Sequence, residues 1–188
     1  MEKKKKKLSE NTAAAVAILI AAAVLAVPLL GGLRLSVAYR SLEKRFSNAV
    51  AVPDRHGNDL FSDTDKLIIS AESLLAEGER ITGADASPTL LERADRLRSA
   101  IDACRSAKHA AARYLTCEDL VSEARQYYNM LRGSATEALT TFLADIDSQS
   151  TRIERVYRLA YSNFRQSREE LIKGFPAVQL AQLFRIGG

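Results

Sequence analysis

No tryptophan occurs among the 188 residues, and histidine, cysteine and methionine occur twice each. Those scarcities narrow the chemistry. The two cysteines, Cys104 and Cys117, form no CxxC pair, and neither His56 nor His109 has a second ligand at metal spacing. The Glu-x-x-His pairs of di-iron bundles are absent too, because Pro53 and Ser106 stand three positions before the histidines. The nine glycines form no phosphate-cradling loop, and no G-x-S-x-G or locally signed Ser/His/Asp set is present. No stretch alternates apolar and polar residues as a half-buried strand would. We therefore nominate no catalytic, cofactor-binding or metal-binding residue.

What the chain does have is one long uncharged run. Asn11 to Leu33 is 23 residues without a charge, and its apolar heart is Thr12 to Leu30. At about 1.5 Å per residue the run reaches roughly 35 Å as a helix, enough for a hydrocarbon core of about 30 Å. Lys3 to Lys7 precede it, as in a cleaved signal peptide or a retained signal anchor. Small-x-small sites stand at Val24-Leu25-Ala26 and Ser36-Val37-Ala38, but the run exceeds the roughly 7–15 apolar residues of a signal peptide, so length favours the anchor. Arg34, Arg40, Lys44 and Arg45 follow the run, so the positive-inside rule favours a cytoplasmic N-terminus only narrowly. The expected division is a basic cytoplasmic tail over 1–10, a single transmembrane signal anchor over 11–33 in the cell membrane and an extracytoplasmic helical domain over 34–188. The tail carries +3 of the formal net charge of +4, so the remainder is nearly neutral. A neutral body offers no electrostatic footprint for a nucleic-acid backbone.

Beyond the run, the apolar residues recur at helical spacing. Gly31-Gly32 reads as a hinge, Leu35, Ala38, Leu42, Phe46 and Ala49 as a first helix, and Pro53 as its limit. Ser62 with Asp65 resembles a capping box that opens a second helix along Leu67, Ala71, Leu74, Gly78 and Ile81, closed by Gly83. Ser87 and Pro88 are placed as N-cap and first residue of a third. Its stripe runs Leu90, Ala94, Leu97, Ile101, Cys104, Ala111, Leu115, interrupted by Lys108, then slips to Cys117, Val121, Ala124, Tyr128 and Leu131. The slip near Thr116 and Asp119 is either a new N-cap or a stutter in one long helix. On one continuous helix Cys104 and Cys117 stand about 20 Å apart, beyond disulfide reach, and read as small core residues with no bridge.

Gly133 terminates that segment, and Ser134 with Glu137 forms the clearest capping box. The last long helix then holds an a/d ladder of Leu139, Ile146, Ile153, Ala160, Ser167 and Leu143, Ser150, Tyr157, Phe164, Leu171. A 3.5-residue spacing over five heptads calls for long antiparallel neighbours. The fold class is thus all-α: an N-terminal transmembrane helix followed by an antiparallel bundle of about four long helices. Asn58, Asp59, Asp63 and Asp65 could surround calcium, but they lack the EF-hand spacing and suit a helix N-terminus better. Tyr114, Tyr127, Tyr128, Tyr157 and Tyr161 read as core with their hydroxyls at the edge.

At the C-terminus, Phe175-Pro176-Ala177-Val178-Gln179-Leu180-Ala181-Gln182-Leu183-Phe184 resembles the closing motif of the LemA family, with Ile172, Arg158 and Tyr161 matching upstream. Ser162 departs from the family's common Asn, Leu67-Ile68-Ile69 from its Leu-Ile-Pro, and Arg185-Ile186 from its Gly-Phe, which describes a divergent member. The resemblance implies a bacterial membrane-anchored bundle without established enzymatic activity, and it carries over no catalytic residue. The expected role is therefore non-enzymatic: a cell-surface scaffold or protein-interaction module, bound to the lipid bilayer through Thr12 to Leu30 and to a protein partner or to itself. The rival expectation is an extracytoplasmic ligand-sensing bundle with Ser150 and Ser167 as polar contacts in its seam. Phe175, Leu180, Leu183 and Phe184 would expose a large apolar patch unless the segment folds back.

Overall fold

The computed structural model describes residues 30–54, 57–83, 86–173 and 177–183. The helices are α1 (30–50), α2 (Leu60–Thr82), α3 (Pro88–Ser106), α4 (Ala110–Leu131), α5 (Glu137–Leu171) and the short α6 (Ala177–Leu183), with a 3-10 turn at Arg132–Ser134. No strand occurs among the described residues, so the all-α expectation holds. The span expected over Thr12 to Leu30 lies outside them except for Leu30, as does the tail over 1–10. Among the described residues no helix is long and apolar enough to cross a membrane.

The chain divides into two compact units, one of residues 43–165 and one of the described residues on either side. The larger unit is the bundle, and ion pairs record its directions. Glu79–Arg98 and Glu72–Arg105 set α2 antiparallel to α3, and Arg93–Glu123 with the Cys104–Cys117 contact does the same for α3 and α4. Arg125–Asp147 and Tyr128–Thr140 place α5 antiparallel to α4, while Glu77–Thr136 and Asp63–Arg152 place it antiparallel to α2. The result is a bundle of α2 to α5 with up-down-up-down directions, in which α2 and α4 run parallel and pack directly on each other. Their close approach depends on Gly78, where a Cβ would stand 2.3 Å from the Tyr127 hydroxyl and 2.7 Å from Leu131 Cδ1. A side chain there would have to push the Tyr127 ring and the end of Leu131 aside.

Most of the expected stripes become the core, although Ala49 and Leu115 are exposed and Ile81 and Tyr128 are half-buried. Leu67, Ala71 and Leu74 of α2, Leu90, Ala94, Leu97, Ile101 and Cys104 of α3, and Val121, Ala124 and Leu131 of α4 are buried. On α5 none of the ten ladder residues is exposed, and Leu139, Ile146, Ile153, Tyr157 and Phe164 are buried. Ser87 caps α3 by accepting from the Leu90 N–H, with Pro88 in the first turn, and Gly83 closes α2 at a positive φ of 50°.

Three boundaries differ from expectation. The helix after α2 does not break or stutter at Thr116. It ends at Ser106 and restarts at Ala110, while Thr116 lies inside α4 and donates its hydroxyl to the Ala112 and Arg113 carbonyls. The N-cap of α2 is Asp59, not Ser62: Asp59 Oδ1 accepts from the Ser62 N–H and Ser62 Oγ accepts from the Asp59 N–H, both at 2.8 Å. Ser62 is thus the third residue of the reciprocal box it was expected to open. Likewise Ser134 belongs to the 3-10 turn, and Thr136 Oγ1 accepts from the Leu139 N–H at the start of α5.

In the smaller unit, Gly31 and Gly32 are helical residues of α1 and not a hinge. A Cβ on Gly31 would stand 2.8 Å from Leu180 Cδ1, so the glycine lets α6 lie close against α1. Leu180 is half-buried and Ala181 buried, consistent with a folded-back segment. Phe175, Phe184 and the side chain of Leu183 lie outside the described residues.

Candidate functional site

The polar groups of the bundle gather where the N-terminus of α2 meets the α3–α4 turn and the middle of α5. Arg113, buried in the first turn of α4, reaches in three directions. Its Nε donates to Thr64 Oγ1 at 2.7 Å, one terminal nitrogen donates to the Cys104 and Arg105 carbonyls, and the other pairs with Asp65. Those carbonyls belong to the last turn of α3, where backbone acceptors have no partner within the helix. Arg113 therefore performs from α4 the capping that a glycine or a polar side chain usually performs locally. The guanidinium also lies over the Phe61 ring, 5.6 Å from its centroid.

On the other side of α2, Asp63 is fully buried. Both its oxygens accept from Arg152 Nε at 3.1 Å, and Oδ2 accepts from the Tyr157 hydroxyl at 3.1 Å. Arg152 also pairs with Asp54. Burial pushes the Tyr157 hydroxyl well above its usual pKa, and the Asp63 charge adds to that shift. The phenol stays protonated and acts as a donor.

The third feature is the cysteine pair, which the turn at Ala107–His109 brings together. The sulfurs are 3.7 Å apart and both side chains are buried. The expected separation of about 20 Å held only for a continuous helix; the hairpin overturns it. Their mutual hydrogen bond holds the Cys104 thiol down to about 7, with Thr116 and the Arg113 charge helping, and together with burial pushes the Cys117 thiol up.

Beside Cys117, a cleft of about 60 Å³ is lined by Tyr114, Glu118, Ser150, Ile153 and Glu154. Ligand pockets usually offer roughly 300–1,000 Å³. This one suits a few waters. Above it Tyr114 stacks on Tyr161 at 4.5 Å between ring centroids, and Phe46 and Phe164 extend the aromatic cluster.

The structure sorts the sequence candidates accordingly. Ser150 faces the cleft, while Ser167 belongs to the smaller unit. Asn58 Oδ1 accepts from Lys66 Nζ, Asp59 caps α2, and Asp63 and Asp65 meet arginines, so the four calcium candidates have separate duties. No group of three His, Cys, Asp or Glu side chains among the described residues is placed to hold a metal ion. His109 pairs with Glu43 at 3.1 Å; His56 lies outside the described residues. Tyr114, Tyr127 and Tyr157 are core, and Tyr128 and Tyr161 are half-buried at its edge. Arg113 and Arg152 were missed, because an arginine turned toward internal partners on an amphipathic helix has the same sequence signature as a solvated one. Neither family models, nor curated proteins, nor solved structures give a match to this chain.

Proposed function

We propose that the chain is a membrane-anchored, non-enzymatic helical-bundle protein, a divergent relative of the LemA family, whose bundle lies outside the cytoplasm and binds other proteins or a second copy of itself. The observation that carries this reading is the outward face of α1. Leu30, Leu33 and Val37 are 61%, 59% and 65% exposed. They occupy one side of the helix, with Leu30 and Leu33 at the end of the uncharged run that starts at Asn11 and Val37 one turn beyond it. An apolar face in that position suits a helix leaving a bilayer. The buried ionisable residues Asp63 and Arg113 support the non-enzymatic part, since both are bonded within the fold.

Crosslinking in intact membranes followed by identification of the captured chains tests the role: specific protein adducts or self-adducts are expected. Crosslinks that appear only with an added small molecule would favour the ligand-sensing bundle instead. Orientation is tested by Asn58→Cys, because the native thiols are buried. A membrane-impermeant maleimide should label that position on intact cells, and labelling only after lysis would reverse the topology.

A further inference from the structure

The α3–α4 hairpin faces the chain's two cysteines toward each other. Cys104 and Cys117 are 13 residues apart, 0% and 4% exposed, with sulfurs 3.7 Å apart. A disulfide needs about 2.05 Å. The remaining distance of roughly 1.7 Å is divided between two side chains whose torsions can rotate, and the antiparallel helices already hold the backbones at facing positions. The turn they flank has little local support of its own. It contains neither glycine nor proline, and His109 makes no side-chain cap for α4. Cys117 also lines the cleft with Glu118 and Glu154, two exposed side chains, so its sulfur lies near an opening to solvent.

We propose that Cys104 and Cys117 are a disulfide-forming pair, closed in an oxidising compartment, where the bond staples α3 to α4 beside the Arg113 junction. With a glutathione disulfide as oxidant, one cysteine thiolate attacks a sulfur and expels one glutathione as thiolate. The second cysteine thiolate then attacks the mixed disulfide and expels the other. The protein gains one S–S bond, and its two thiol protons end on two glutathione molecules. That the bond is closed in cells rests on the outward orientation proposed above; that the pair can close does not.

The full chain, purified in detergent, is equilibrated with glutathione redox buffers, quenched in acid, alkylated with a maleimide and mapped by mass. The expected product is a monomer with a Cys104–Cys117 bridge and no alkylation, melting roughly 6–12 °C above the reduced form. Cys104→Ser and Cys117→Ser should each leave one alkylatable thiol and lose that shift. Because the thiols are buried, a parallel sample is unfolded in guanidinium and refolded in the same buffers. Free thiols, glutathione adducts or intermolecular dimers in both samples would overturn the proposal. Alkylation of whole cells at harvest separates the two ideas. A bridge already closed in cells supports both, whereas free thiols in cells with bridging of the purified chain sustain the pair and overturn the orientation.

Discussion

Replacing Arg113 with methionine keeps most of the side-chain volume and removes the guanidinium. Two acceptors lose their donor inside the protein, Thr64 Oγ1 and the Arg105 carbonyl, while the Cys104 carbonyl keeps the Ala107 N–H. A stranded buried acceptor costs about 1–3 kcal/mol. The fourth partner, Asp65, is 63% exposed and returns to water, so its pair contributes little. Against the gross loss of about 2–6 kcal/mol for two acceptors stands relief from burying the guanidinium, which leaves a net destabilisation of about 1–4 kcal/mol. Urea unfolding of the detergent-purified full chain, followed by circular dichroism at a helical wavelength, measures it directly. Arg113→Lys should recover little, since one ammonium cannot reproduce a planar fork that points three ways. A cost below about 1 kcal/mol for Arg113→Met, the range of ordinary surface changes, would refute the capping role assigned to this residue. So would full rescue by lysine.

Gly78→Ala should destabilise by about 1–3 kcal/mol in the same assay, despite alanine's better helix propensity, because the new methyl meets Tyr127 and Leu131; a gain in stability would show that α4 moves aside freely. Asp59→Ala should cost about 1 kcal/mol and Asp65→Ala less, which distinguishes the observed N-terminus of α2 from the one expected at Ser62. Glu77 is held near 2, below its usual 4.5, by Arg80 and by the Thr136 hydroxyl. Its folded-state pKa is lowered, so its contribution is present above about pH 4.5 and disappears as pH falls toward 2. Melting temperatures measured across that window should fall less steeply for Glu77→Gln than for the native chain, and parallel curves would remove Glu77 as a cause of acid sensitivity.

The bundle was legible because its helices repeat apolar residues at one spacing, and burial follows that spacing on α2, α3 and α5. Ser87, Pro88 and Gly83 were legible because each does its work through backbone chemistry within a few residues. The α3–α4 turn was not. Its stabilising group, Arg113, lies four residues beyond His109, and its bonds depend on the turn already existing. Lys108 was the one visible sign, a charge in an otherwise apolar stripe, and it marks the turn itself. The error carried into the cysteines, whose separation depends wholly on where the helix stops. Asp63 was hidden for a similar reason: its partners are Arg152 and Tyr157, 89 and 94 residues away, and a buried acid near a helix start looks like a dipole-stabilising one.

Those separations also impose an order in time. Arg113 ties α2, α3 and α4 together within 49 residues of chain, whereas Asp63 has to wait for Arg152. At about 5–20 residues per second of synthesis, that wait is roughly 4–18 seconds. During it a three-helix nascent chain has every partner Arg113 requires, while Asp63 keeps its water. Completion of α5 exchanges that water for a guanidinium and a phenol. Amides of α3 and α4 should therefore gain protection from hydrogen exchange before those around Asp63, and a ribosome stalled short of Arg152 should hold a hairpin that is formed beside an α2 that is not yet closed.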